Sequence, residues 1–467
     1  MACASRSQMQ RMAAKALSRG IQAFVLTGLL AAPVLSEEVQ KALDKMRDFN
    51  AVQTIYREGV PHTDKCGQVL MKYDPARSFF QIGVWGNPMG KIYGYDYDLK
   101  VLTDAGVNTM WPWRMRSVEE QLQTGKRAGL QVVVMGPIEE AEAAKFKDHP
   151  SWLGNVWHDE PTGSFWGKDM AGKYKEFLAY KARINKAAPG RPVFINDVPW
   201  ITPPATQWWV KWNTAGDVAC HDNYPIMNRK HRARTIGNEA HKTGIPGSVS
   251  LAVAVNKERK PVWLIVGAFL QRGHGAFPFR MATPMQLRAQ VYAAVIHGAT
   301  GIIYFCWDTY VCRDGNVMGM SPDPQVAYLE PGRNRPKASP AKPMQLAQSK
   351  ALWMSAAQIN KEIRELTPSL LAPTVGEELK YSVSIKGEHV TDAPIRCLLK
   401  PHPDGGYVLL TVNLDDAVLF ATFEFPGGLK AVAPRFENRK PYTIKPGQTR
   451  FEDRFEPFEV HVYRITT

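Results

Sequence analysis

Two short stretches of this sequence set acidic side chains among amides and aromatic rings. One is Trp157-His158-Asp159-Glu160-Pro161; the other is His221-Asp222-Asn223-Tyr224-Pro225. A further carboxylate, Asp308, follows Trp307. Cleavage of an acetal needs two carboxyl groups, one protonated to release the leaving oxygen and one ionised to attack or to activate water. The neighbouring residue types suit a polyhydroxylated ligand. Indole and phenol rings such as Trp85, Trp113, Trp307 and Tyr224 stack on the C–H faces of a pyranose, and Asp159, Asn196, Asn223 and Gln271 offer the acceptors and donors that hydroxyls require. Other chemistries have less support. There is no G-x-S-x-G nucleophile elbow, and the run Gly237 to Gly247 is not a phosphate loop. Cys220 and Cys306 fall inside strand patterns, where a thiol is buried and unreactive. His158, Asp159, His221 and Asp222 form a conceivable metal set, but no two of them have helical ligand spacing. The expectation is therefore no metal and no cofactor.

These residues fall at the ends of regularly spaced apolar runs. Strand patterns cover Phe80–Trp85, Thr109–Trp113, Gln131–Met135, Gly154–His158, Val193–Asn196, Val218–Asp222, Val262–Phe269 and Gly301–Trp307. Helical patterns between them start near Asp96, Val118, Glu139, Met170, Ala205, His231 and Thr283. Ser117 with Glu120 reads as a capping box, Thr283-Pro284 as a helix start, and Gly106, Gly129 and Gly244 as left-handed helix stops. Strand–helix alternation repeated eight times predicts an α/β fold, a (β/α)8 TIM barrel, rather than an open doubly wound sheet. In such a barrel the active site lies at the carboxyl ends of the strands, where the acidic and aromatic residues cluster.

Residues 313–342 read as a long loop, and Met344 to Leu366 as the last barrel helix. From Tyr381 the period becomes two, in runs such as Tyr407–Val412, Leu419–Phe425 and Phe458–Arg464 split by Gly-Gly and Asp-Asp turns. That predicts a small C-terminal antiparallel β-sandwich. The expected organisation is a signal peptide over 1–36, an N-terminal extension over 37–78 with a short helix from Glu38 to Phe49, the barrel over 79–370 and the sandwich over 371–467.

At Trp157-His158-Asp159-Glu160-Pro161 the chain resembles the (β/α)8 glycoside hydrolases of clan A, whose acid/base Glu ends the fourth strand, commonly as Asn-Glu-Pro. The resemblance rests on architecture over about 79–310 and implies that Glu160 is the acid/base, with Asp159 in the Asn place. Asp222-Asn223-Tyr224-Pro225 and Trp307 look like sugar-binding positions of such barrels. One departure stands out. Clan A enzymes carry a nucleophilic Glu at the end of the seventh strand, whereas this chain has Gly267-Ala268-Phe269-Leu270-Gln271. Asp222, then Asp308, then Asp159 are the substitutes. A carboxyl separation of about 5 Å would imply retention and one of about 6.5–9.5 Å inversion. An acetamido group of the substrate acting as nucleophile is a further route. The expectation is a glycoside hydrolase acting on a poly- or oligosaccharide; the alternative is a carbohydrate-binding barrel without catalysis.

Bulk properties bound the setting. The chain has 467 residues, 13 Trp and a formal net charge of +14, which favours an acidic ligand. The densest basic run, Arg229, Lys230, His231, Arg232 and Arg234, has no interleaved aromatics and reads as a solvated helix face, not a nucleic-acid surface. Arg6, Arg11, Lys15 and Arg19 precede an apolar run from Ile21 to Leu35, too short to span a bilayer and suited to an export signal. The mature protein is thus expected to be secreted or periplasmic and to have no membrane span. Outside the signal there are five Cys, an odd number with no CxxC. Cys306 and Cys312 either pair or remain thiols.

Overall fold

A computed structural model describes residues 37, 56, 58–86, 91–92, 95–96, 98–112, 117–199, 205–226, 236, 244–272, 279–307, 309–312, 315–321, 327–328, 343–374, 382–385 and 395–467. The expected signal, the Glu38–Phe49 helix, the basic run, Trp113 and Asp308 lie outside the described residues.

All eight expected strands form, and they close into a parallel barrel: β1 (Gln81–Gly86), β2 (Thr109–Pro112), β3 (Gln131–Met135), β4 (Trp152–Asp159), β5 (Val193–Asp197), β6 (Ala219–Asn223), β7 (Val262–Gly267) and β8 (Gly301–Phe305). Closure is made by β8 against β1, with Gly301 opposite Gln81 and Phe305 opposite Trp85. Strand alternation then sorts the side chains. Ile82, Val84, Met110, Val132, Val134, Leu264, Val266, Ile302 and Tyr304 face outward to the helices. Trp85, Trp111, Val133, Phe194, Cys220, Trp263, Ile265 and Ile303 fill the barrel. Burial on both faces is why these runs read as continuously apolar.

The helices behind the strands are α1 (Lys100–Asp104), α2 (Val118–Ala128), α3 (Glu140–Phe146), α4 (Met170–Ala187), α5 (Ala205–Ala215), α6 (Ile245–Val255), α7 (Pro284–Ile296) and α8 (Pro343–Leu371). Their caps follow the sequence at most ends. Ser117 accepts from the Glu120 N–H, and Thr283 with Gln286 makes a full capping box ahead of Pro284. Gly129 stops α2 at φ 70°, a conformation that costs glycine nothing. Gly244 is a correction. It has φ −66° and opens α6 as its N-cap, so it does not close a preceding helix. The pattern near His231 lies outside the described residues.

After α8 comes the sandwich. One sheet pairs Ser382–Ile385, Leu419–Glu424 and Arg450–Phe455; the other pairs Ile395–Pro401, Tyr407–Asn413, Val460–Thr466 and Ala431–Arg435. Phe423, Phe425, Phe451, Phe455 and Tyr463 form the core between them. The sandwich is clamped to the barrel by Arg288 of α7. Its guanidinium donates to Glu362 on α8 (2.9 Å), to the Val460 carbonyl (2.7 Å) and to Glu437 (3.4 Å). Among the described residues no helix is long and apolar enough to cross a membrane.

Candidate active site

The site is built at the carboxyl ends of β4, β5 and β6. Along β4, Val156 faces the barrel interior, so plain alternation would turn Asp159 outward. It does not, because β4 carries a bulge. Phe194 pairs with Val156, but Asn196, two residues on, pairs with Asp159, three residues on. The extra residue re-aims Asp159 inward beside Asn196, a known effect of bulges.

Strand β4 ends at Asp159, and Glu160 adopts a left-handed conformation, φ 49° and ψ 57°. For a residue with a Cβ this costs about 1–3 kcal/mol and persists only where neighbours enforce it. Two do so locally. The ring of Pro161 disfavours a right-handed helical conformation at the residue before it. The Glu160 N–H donates to the Asn196 carbonyl (2.8 Å), while its own carbonyl accepts from Ser164 and starts a one-turn helix, Pro161–Phe165. The turn lets adjacent residues Asp159 and Glu160 face the same space.

Three carboxyl groups meet there. The Asn196 amide donates one hydrogen to Asp159 Oδ1 and the other to Asp222 Oδ1, both at 2.9 Å. A planar amide forking to two acceptors holds them about 5 Å apart. The Glu160 carboxyl hydrogen-bonds that of Asp222. Below them the barrel is plugged by rings: Trp85 and Trp111 are 5.5 Å apart, and Phe194 meets Trp263 edge-on at 5.2 Å. This apolar floor cannot solvate charge, so the carboxyl acidities shift.

Burial pushes Asp159 up to about 6, opposed by the Asn196 hydrogen bond. Burial and the charge of Asp159 push Asp222 up to about 8, with Asn196 again opposing. Glu160 is held well above the usual carboxyl range, first by burial, then by the charges of Asp222 and Asp159, then by its hydrogen bond to Asp222. Asp159 keeps exposed surface, whereas Asp222 is 2% exposed. The arrangement thus sets a carboxyl whose pKa is strongly raised beside one raised to about 6.

Glu160, Asp159, Asp222, Asn196 and Tyr224 are brought together. Tyr224 lies half-buried among Phe269, Phe279 and Phe305; burial, then the charges of Asp222, Glu160 and Asp159, raise its pKa. It also covers the end of β7, where a Cβ on Gly267 would come within 3.2 Å of the ring. Gln271 stands apart on a short antiparallel strand, Leu270–Arg272, opposite Val317.

Three expected ligand contacts need correction. Trp85 is 2% exposed and belongs to the plug, beneath any sugar face. Trp307 is equally buried and packs edge-on against Trp353 of α8, ring centroids 4.6 Å apart. Asn223 points the other way from Asp222, because neighbours on a strand alternate. Its amide donates to Ser248 of α6 (3.1 Å), as His221 also contacts Ser248 (3.1 Å). That outward turn takes His221 out of the conceivable metal set, and burial lowers its pKa to about 3. Cys306 keeps a buried thiol and is in no disulfide.

Asp197 and Thr162 carry no sequence motif that marks a role at the site. Asp197 is fully buried on β5 and accepts from both the N–H (3.2 Å) and the hydroxyl (2.5 Å) of Thr162. The signal available was an Asp at a strand end with no other duty.

No family model matches the chain, and no curated protein matches it. Among solved structures it is similar to one described as "Glycoside hydrolase", at 13% identity over 88% of this chain and 98% of that one, TM-score 0.49. It is also similar to a putative alpha-galactosidase from Bacteroides fragilis NCTC 9343, at 9% identity over 83% and 79%, TM-score 0.46. A beta-galactosidase from the psychrophilic Marinomonas ef1 is similar at 13% identity over 62% of this chain and 60% of that one, TM-score 0.42.

Proposed function

We propose that this chain is an exported glycoside hydrolase acting on a poly- or oligosaccharide, with Glu160 as the acid that protonates the leaving oxygen. The observation that carries the reading is the convergence of Asp159, Glu160 and Asp222 over an apolar floor, with their acidities pushed apart by position. Titratable groups whose environments separate their pKa values in this way are suited to acid and base roles.

Asp159 is the ionised partner in this reading. It has the lowest pKa of the three and the most open surface. Asp222 lies too close to Glu160 for the two to flank a scissile bond, since a hydrogen-bonded pair falls well inside the separation of about 5–5.5 Å seen in retaining enzymes. It acts instead on proton sharing with Glu160. The spacing of about 5 Å between Asp159 and Asp222, fixed by Asn196, favours retention should Asp222 deliver the proton in place of Glu160. Asp308 and Trp113 stay as candidates for base and stacking wall, Tyr224 and Gln271 for substrate contacts. Asn196 is a brace, because both amide hydrogens are already used.

A second reading, a carbohydrate-binding barrel without turnover, is favoured by the end of β7, which presents Gly267 under Tyr224 where clan A enzymes carry their nucleophile. A glycan library assayed for cleavage and for binding separates the two. The hydrolase reading expects wild-type turnover, and Glu160→Gln that binds the same glycan with little turnover. Binding by the wild type with no cleavage of any member would establish the second reading instead.

A further inference from the structure

The left-handed turn at Glu160 needs an anchor on its far side, because Pro161 and the Asn196 carbonyl act on Glu160 itself and not on the chain beyond it. That anchor is Asp197. From the end of β5 its carboxyl takes two hydrogen bonds from Thr162, one from the N–H at 3.2 Å and one from the hydroxyl at 2.5 Å. Thr162 is 1% exposed and Asp197 0%, so water does not compete for either group. A third hydrogen bond reaches Asp197 from the Val198 N–H. Thr162 lies two residues beyond Glu160, with the rigid ring of Pro161 between. Fixing Thr162 to β5 therefore fixes where the chain leaves Glu160. At the same time Asn196, the preceding residue on β5, fixes Asp159 and Asp222 through its amide and Glu160 through its carbonyl. Two adjacent residues of one strand, facing opposite ways, thus hold both walls of the site.

We infer that Asp197 is a positioning residue for Glu160, acting through Thr162 to keep the Glu160 carboxyl turned into the cleft against Asp222. The inference rests on the reading of Glu160 as the acid, but its geometric content does not depend on turnover. Asp197 touches no substrate. Burial holds its carboxyl well above the usual range, and the charge of Glu160 adds to that rise. The charged groups that act on Glu160 are Asp222 from β6 and Asp159 from β4, while the Asp197 carboxyl is turned to Thr162.

The test combines three variants with two readouts. Asp197→Asn forces an amide against one of the Thr162 donors; Thr162→Val removes the hydroxyl and keeps the N–H; Thr162→Ser returns both donors. Carbon-13 NMR of glutamate-labelled protein, with the Glu160 signal assigned by its loss in Glu160→Gln, follows titration of that carboxyl. Melting temperature checks folding, and kcat and KM are measured on any glycoside the wild type cleaves. Asp197→Asn and Thr162→Val are expected to lower the Glu160 midpoint by one pH unit or more, as its carboxyl swings toward water, and to reduce kcat tenfold or more with KM changed less than threefold. Thr162→Ser is expected to restore both values. An unchanged Glu160 titration in both folded variants would overturn the inference, even if melting temperature fell. Absence of turnover in the wild type would count against the hydrolase reading alone, since the NMR result still decides the positioning role. If Asp197→Asn fails to fold, Thr162→Val against Thr162→Ser gives the same decision.

Discussion

Asp159 stands opposite Asn196 in the barrel, and the amide of Asn196 donates to its carboxylate at 2.9 Å, because β4 has one more residue than its neighbour over the same length. Without that bulge His158 would face Asn196 and Asp159 would point to the helices. The same amide reaches Asp222 at 2.9 Å, so a single side chain sets the spacing of two carboxylates. Asn196→Ala should therefore reduce kcat by about 10²-fold, the order expected when reacting groups shift by an ångström, with glycan affinity nearly kept. Steady-state kinetics with calorimetric binding check this; equal losses in both would show Asn196 to be a ligand contact instead.

The pH profile of turnover should be bell-shaped. Activity rises through about 6 as Asp159 ionises and falls at high pH as Glu160 gives up its proton. Asp159→Asn should abolish the acid limb along with most of the rate. A profile flat from pH 5 to 8 would contradict the assignment.

Asp222 gives a stability test. Burial and the charge of Asp159 raise its pKa to about 8 in the fold, against about 4 in the unfolded chain. The folded state holds the proton more tightly, so this contribution to stability is full below about pH 4 and is lost as pH rises through 8. Asp222→Asn removes the dependence. Its melting temperature relative to wild type should improve from pH 4 to pH 8; no change in that difference would show the group to be ionised in the fold throughout.

Lys400 gives the opposite sign. It is 1% exposed, donates to the Ala372 carbonyl just past α8 at 2.5 Å, and burial lowers its pKa to about 7. Unfolding lets it bind a proton up to about pH 10.4, so stability from this site rises with pH across that window and is lowest below pH 7. Lys400→Met should help more at pH 6 than at pH 10, measured as urea midpoints. Equal effects at both would mean the ammonium is charged in the fold throughout.

Trp307 should behave as core. Trp307→Ala, which strips its contact with Trp353, should cost about 3–5 kcal/mol in chemical denaturation while leaving the folded protein's glycan affinity unchanged. Weaker binding without loss of stability would restore its expected role as a stacking wall.

The barrel was legible because each strand is buried on both faces, and runs such as Gln131–Met135 or Val262–Gly267 advertise that in residue type alone. The place of Glu160 just past the end of β4 was legible because the strand end and the Pro after it are local signals. Which way a side chain turns was not. Trp85, Trp307 and Asn223 lie within a residue or two of strand ends, and only register decides between core, helix face and cleft. The bulge that re-aims Asp159 has no sequence signature, and Asp197 acquires its role from Thr162, 35 positions away in the chain. Gly244 shows the same limit in a helix end: a glycine fits the N-cap as it fits the stop, and the elements on either side choose.

The most direct test of Glu160 as proton donor compares leaving groups in Glu160→Gln. A glycoside whose leaving group needs protonation, such as an alkyl or sugar alcohol, should lose about 10²–10⁴-fold in kcat/KM. A dinitrophenyl glycoside of the same sugar, whose leaving group departs unaided, should lose tenfold or less. Equal losses on both substrates would contradict the acid role.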